Sequence, residues 1–540
     1  MNLSPASALR YLFDPQHGDS IRLVPRWFFL RALGIIYFSA FFSLVFQVRG
    51  LIGPSGILPA SEYLRAVTNS IGFARFWYAP TLLWFSSSNH MLMALCWAGL
   101  IASLLVTCNL FPRGMLLVCF ICFLSFVSAA SDFSGYQSDG MLLEAGFICL
   151  FLAPSGFRPG LGAKDPPRRA AVFLLLWEWF RIYFESGVAK IASGDPQWRH
   201  FTAMDEYYQN GPLPTWVGWY IQHLPHGFHA ATAFSTLALE LTLVFMLFSP
   251  RPVRIICFCI VTPWQIGVIL TANYTFLNYL VLALGVFLLD DRFLSRFAPQ
   301  TWRAQLPRVS SDPVPDSPPD SPEGSPRWYS IWARQLARAK LALTALMFLW
   351  IFYSTLVLML WMIWPRAPFP PGPVAALQPF RIADRYGLFA VMTRGRYEIE
   401  FQGSNDGENW ITYKFRFKPQ NPYEAPRIYA PYQPRFDWNL WFASLGHWRS
   451  NPIVPRTEER LLDNNPSVLA LFASNPFPQQ PPKQVRAVLW QYWFTSMSEK
   501  RDSGLWWRRQ LLGDYAPTLA RDASGQIIAI SWPSELPAHE

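Results

Sequence analysis

The chain has 540 residues and is 52% hydrophobic, 17% aromatic and only 15% charged, against roughly 25% charged in ordinary globular proteins. That composition excludes a typical soluble protein. The formal net charge of +10 does not mark a nucleic-acid binder, because the basic residues lie in short loops between long apolar runs and no zinc-finger, homeodomain-like or RNA-recognition motif accompanies them.

The first twenty residues are polar and mixed, and Asp14 and Asp19 do not suit a basic signal-peptide start. The first apolar run is therefore expected to act as an uncleaved anchor. Nine runs read as spans: 28–48, 84–108, 115–131, 141–154, 170–190, 228–249, 253–272, 275–290 and 342–364. The fourth and eighth are short of the roughly twenty residues a helix needs to cross a bilayer. Arg10, Arg22 and Arg26 place the N-terminus in the cytoplasm, and the even-numbered loops then carry most of the basic charge, as the positive-inside rule requires.

The predicted organisation is a cytoplasmic segment (1–27), a transmembrane bundle (28–291), a basic, proline-rich cytoplasmic linker (292–341), a last transmembrane helix (342–364) and an extracytoplasmic domain (380–540). The fold class is thus a polytopic α-helical membrane bundle of about nine spans, two of them short, followed by a soluble α+β domain with β-hairpins. Residues 298–326 read as a disordered tether. In 396–419, apolar alternation on both sides of Asn405-Asp406-Gly407 predicts a hairpin. Residues 486–496 read as a strand and 456–473 as helix.

All seven cysteines lie in or beside apolar runs, and none follows residue 259, so the last domain has no disulfides. Cys119 and Cys122 form a C-x-x-C pair inside a hydrophobic run, where packing is the expected role. His223, His226 and His229 are spaced by threes, but Pro225 interrupts them, so no metal site is expected. GSNDGENW (403–410) resembles a sugar-binding loop but is explained by a turn.

Charges inside spans are expensive and point to function or internal pairing. Glu178, Arg181 and Glu185 fall within an arc of about 60° on the fifth span, at spacings that allow pairing along the helix. Lys190 lies about 140° from Glu185 if the helix runs straight. A lysine desolvated there could serve as a base, or could extend to the interface. Gln137, Asp139 and Glu144 in the third–fourth span connection fall on the same predicted outer face, with Asp195 and Trp198 beyond the fifth span. A polar pocket is expected there.

The stretches YLFDPQHGDSIRLVPRWFFLR (11–31), GLIGPSGILPASEYL (50–64), YQSDGMLLEAGFICLFLAP (136–154), RIYFESGVAKIASGDPQWRHFTAMDEYYQNGPLPTWVGWYIQHLP (181–225), NYTFLNYLVLALGVFLLDD (273–291) and RFDWNLWFASLG (435–446) resemble the lipase maturation factor family. The resemblance implies a multi-pass membrane protein, in the endoplasmic reticulum of eukaryotes and with bacterial relatives. It also implies a chaperone-like role toward secreted lipases. The only N-x-S/T sites are at Asn2 and Asn273, both poorly placed for glycosylation, which favours a bacterial plasma membrane.

A remoter resemblance links Tyr183, Gly187, Lys190, Asp195 and Trp198 to vitamin K-dependent carboxylases, with Ala189 standing where those enzymes carry a lysine. It implies an alternative: a carboxylase- or oxidoreductase-like membrane enzyme with Lys190 as base and a quinone-like lipid as cofactor. The maturation reading needs no cofactor and no catalytic residue. A transporter reading lacks the internal repeat it would need.

Overall fold

The computed structural model describes residues 5–297 and 327–534. The proline-rich stretch read as a tether, 298–326, lies outside them.

Each of the nine apolar runs carries helix: α1 (Leu23–Ile52), α2 (Asn89–Thr107), α3 (Pro112–Val127), α4 (Gln137–Leu152), α5 (Arg169–Ala192), α6 (His226–Leu241), α7 (Arg251–Thr271), α8 (Leu277–Gly285) and α9 (Arg327–Ile363). Among the described residues, five helical segments are long and apolar enough to cross a membrane: Leu23–Ile52, Asn89–Thr107, His226–Phe248, Arg251–Thr271 and Gln335–Ile363. Two shorter apolar helices, Pro112–Val127 and Leu277–Leu288, stand beside them.

Two helices outrun their predicted spans for a reason visible in buried polar side chains. α1 starts earlier than its apolar run because Arg26, buried inside it, donates to the carbonyls of Leu161 (2.7 Å), Gly162 (2.9 Å) and Asp165 (2.5 Å). α4 starts at Gln137 because the carboxylate of Asp139 in its first turn is paired.

The last domain is built on an antiparallel sheet of order β2-β1-β3-β5-β6, with β4 also on β3. Its strands are β1 (Arg396–Ser404), β2 (Ile411–Thr412), β3 (Gln484–Phe494), β4 (Trp507–Asp514), β5 (Thr518–Arg521) and β6 (Ile527–Ser531). Central β3 alternates buried Val485, Ala487 and Leu489 toward the core and pairs along the whole length of β1.

The predicted hairpin exists, but its second arm pairs over only two residues, Gln402 with Thr412 and Gly403 with Ile411. Side chains intercept the backbone donors that would extend it. Phe415 N–H goes to Gln420 Oε1 (3.0 Å), while Phe417 and Lys418 N–H go to Asp437 Oδ1 (3.3 and 3.2 Å). The predicted helix over 456–473 is two helices, α11 (Ile453–Leu462) and a turn at Pro466–Leu469. They are parted at Asn464, whose φ is 49°, and Asn465, whose side chain caps the second. β4 to β6 were not anticipated.

A continuous apolar core joins the two halves, from Phe41 and Phe123 of the bundle to Phe401 and Phe436 of the domain. Phe436 belongs to helix α10 (Arg435–Ser444), which lies between bundle and sheet. On α10, burial pushes the Asp437 carboxyl up to about 6. The folded domain therefore holds that proton more tightly than the unfolded chain, whose aspartates titrate near 4. The stability Asp437 contributes is present below about pH 4 and is lost as the pH rises through about 6. Asp437→Asn is expected to flatten this dependence between about pH 4 and 7 in thermal melts of the detergent-solubilised protein. An unchanged slope would assign it to other groups.

Candidate functional site

After α9 the chain turns back over the bundle and runs as an irregular strap, residues 381–395, before entering β1. Nearly every polar residue singled out on α4, α5 and the loop beyond them holds this strap. Arg181, fully buried, pairs with Glu144 and donates to the Asp384 carbonyl (2.7 Å). Glu144 also accepts the Tyr386 hydroxyl (2.8 Å). Glu185 accepts Tyr386 N–H (2.6 Å), Gln137 accepts Gly387 N–H (3.0 Å) and Ser186 accepts Leu388 N–H (3.3 Å). Lys190 donates to the Leu388 carbonyl (3.0 Å) and Trp198 Nε1 to the Phe389 carbonyl (3.1 Å). Asp195 accepts Met392 N–H (2.7 Å) and Asn210 donates to the Thr393 carbonyl (2.8 Å).

A peptide chain without secondary structure must find partners for its polar groups. Here the bundle supplies them one by one. The fit is close, since a Cβ on Gly140 would lie 2.5 Å from Asp384 Oδ2. Burial also pushes the Asp384 carboxyl up to about 6. Gly140→Val is expected to lift the strap, at a cost of about 1–3 kcal/mol typical of overpacking. The measurement is faster tryptic cleavage at Arg385 and Arg394, and wild-type cleavage rates would show that the side chain yields instead.

Two arginines of the last domain reach back to the bundle. Arg435 on α10 grips Asp139 with two parallel hydrogen bonds (2.7 and 2.8 Å) and donates to the Phe133 carbonyl (2.7 Å). Arg396 at the start of β1 pairs with Glu398 and donates to the carbonyls of Gln209 (3.1 Å), Gly211 and Pro212 (3.2 Å). Asn273, part of a glycosylation motif in the sequence, is buried. It donates to the Arg427 carbonyl (2.8 Å) and accepts Tyr429 N–H (2.7 Å).

Lys190 also meets Glu240 of α6 (2.9 Å), and its ammonium lies 5.2 Å from the Trp198 ring centroid. The pairing expected along α5 is not made: Arg181 turns to Glu144 instead, and neither oxygen of buried Glu178 has a hydrogen-bond partner among the described residues. His223 bridges the Trp219 and Thr495 carbonyls (2.7 and 2.8 Å), His226 faces Asp205 (3.0 Å) and His229 is buried. Cys119 and Cys122 are buried free thiols. In GSNDGENW, Asp406 Oδ1 accepts Glu408 and Asn409 N–H (2.9 and 2.8 Å), which closes a turn on Gly407 at φ 79°.

A family model described as the lipase maturation factor transmembrane domain matches residues 24–296, and one described as the lipase maturation factor C-terminal domain matches 382–517. The chain belongs to the lipase maturation factor family. Lipase maturation factor 2 of Gallus gallus is 30% identical, covering 92% of this chain and 81% of its own. Lipase maturation factor 1 of Bos taurus is 30% identical over 93% and 90%, and lipase maturation factor 2 of Homo sapiens 29% identical over 92% and 83%. No solved structure matches this chain.

In this member of the family, sequence reasoning missed Glu240, Ser186, Arg396, Arg435, Tyr386 and Asp384. Glu240 had a legible signal, a lone carboxylate within an apolar run. Arg435 stands first in a quoted family stretch, with nothing local to name Asp139 as its partner. The strap residues carry none, because they act mainly through backbone amides and carbonyls that every residue possesses.

Proposed function

We propose that this protein is a multi-pass membrane maturation factor that assists the folding or assembly of secreted lipases. The relatives' names carry the client class. The observation that supports a chaperone-like mode is the strap: the polar groups converging at one end of the bundle are spent on fixing the last domain against it. The product is a rigid two-part surface for a client to meet, with no catalytic group required.

In this reading Gln137, Asp139, Glu144, Arg181, Glu185, Lys190, Asp195 and Trp198 are positioning residues. All nine helices belong to the membrane half, and the last domain lies outside the cytoplasm, as the loop charge favours. The sequon positions favour a bacterial plasma membrane. Nothing in the structure or the relatives supports the carboxylase- or oxidoreductase-like alternative, and the quinone-like cofactor belonged to that alternative.

The test is secreted lipase activity and lipase protein in a deletion strain of the native host, with and without the wild-type gene. Loss of activity per lipase molecule, restored by the gene, is the expected result. Unchanged specific activity on deletion would end the lipase assignment.

A further inference from the structure

A cavity of about 410 Å³ lies between α6 and α7, closed behind by α5, α8 and the strap. This is within the roughly 300–1,000 Å³ range of ligand pockets. Its deep wall is apolar, with Ile182, Leu277 and Val281, and its polar side holds Lys190 with Glu240, and Tyr183 with Gln265.

The other wall faces outward. α6 and α7 are joined at one end through the turn Leu243–Phe248 and scarcely touch along their helical lengths. Their outer sides expose Phe234, Ile256, Ile260, Ile266 and Leu270. At the gap, Phe228, Pro263 and Gly267 line the cavity and are themselves exposed, and a Cβ on Gly267 would meet nothing within 4 Å. Both helices are among those long and apolar enough to cross a membrane, so the opening gives onto hydrocarbon.

We propose that this cavity is a binding site for the acyl chain of a bilayer lipid, which enters sideways between α6 and α7. Hydrocarbon is the surrounding phase at the opening, and Ile182, Leu277 and Val281 give a chain an apolar deep wall to lie against. An ammonium has three donors. Lys190 spends two on Glu240 and Leu388, which leaves one for an ester or carbonyl oxygen of the lipid. The Lys190–Glu240 pair is electrically neutral as a unit, so the site selects no net headgroup charge. Because Leu388 and Phe389 of the strap form part of the wall, an occupant would also brace the segment that carries the last domain.

The experiment uses the full chain in phosphatidylcholine nanodiscs doped with a phosphatidylcholine whose acyl chain carries a diazirine. After illumination, adducts are mapped by peptide mass spectrometry. Adducts on Tyr208, Thr236 and Val268, lost in Gly267→Trp while those on Phe234 and Ile256 persist, are the expected result. Labelling confined to the outward residues in the wild type would overturn the proposal. So would cavity adducts that persist in both Gly267→Trp and Thr236→Trp. Gly267 lies on an exposed helix face, and the persisting outward adducts report that the variant remains folded.

Discussion

Arg435→Met is expected to loosen the last domain from the bundle and to lower the melting temperature more than any single substitution in the sheet surface. Arg435 and Asp139 are both almost completely buried, so removing one leaves the other as an uncompensated charge. Such losses cost about 3–5 kcal/mol, a large part of the roughly 5–15 kcal/mol that holds a protein folded. The double variant Asp139→Leu with Arg435→Met should recover most of that loss, because an apolar pair of similar size replaces a buried ion pair at little net cost. Melting temperature in detergent, read with tryptic cleavage at Arg385 and Arg394, checks both statements. A single variant that melts with the wild type would show that the clamp carries no weight.

Lys190 separates the chaperone-like reading from the enzymatic one. Lys190→Met should lower the amount of folded protein, again by about 3–5 kcal/mol for a broken buried pair, since Glu240 is left alone in the bundle. Secreted lipase activity should fall in proportion to membrane level. Adding Glu240→Leu should restore both level and lipase activity. A general base could not be rescued this way: a double variant at normal abundance that still fails to mature lipase would show that the amine itself is needed.

The same two pairs show how far the sequence could be read. Asp139, Glu144, Arg181, Glu185, Lys190 and Asp195 stood out because a charge in an apolar run is costly wherever it points. Their gathering at one face followed from counting spans. Their partners did not, because they lie some forty to three hundred residues away, and several are peptide groups with no signature in the side-chain pattern. The fold shows the same division. Apolar runs located nine helices, and alternation located β1 and β3. The short second arm of the hairpin depended on Asp437 and Gln420 capturing backbone donors, which only the packed domain brings into reach.

The strap also imposes an order on biogenesis. Glu144, Arg181, Glu185 and Asp195 are made early, on helices four and five and the loop beyond, yet the groups that complete their hydrogen bonding lie at 384–392. Through the synthesis of four more helices, the nascent bundle carries unsatisfied polar side chains. It becomes complete only once α9 and about thirty residues beyond it have been made. A ribosome that stalls, or a chain that ends, before residue 384 releases a membrane half that is still recognisable as unfinished to the cell's proteases.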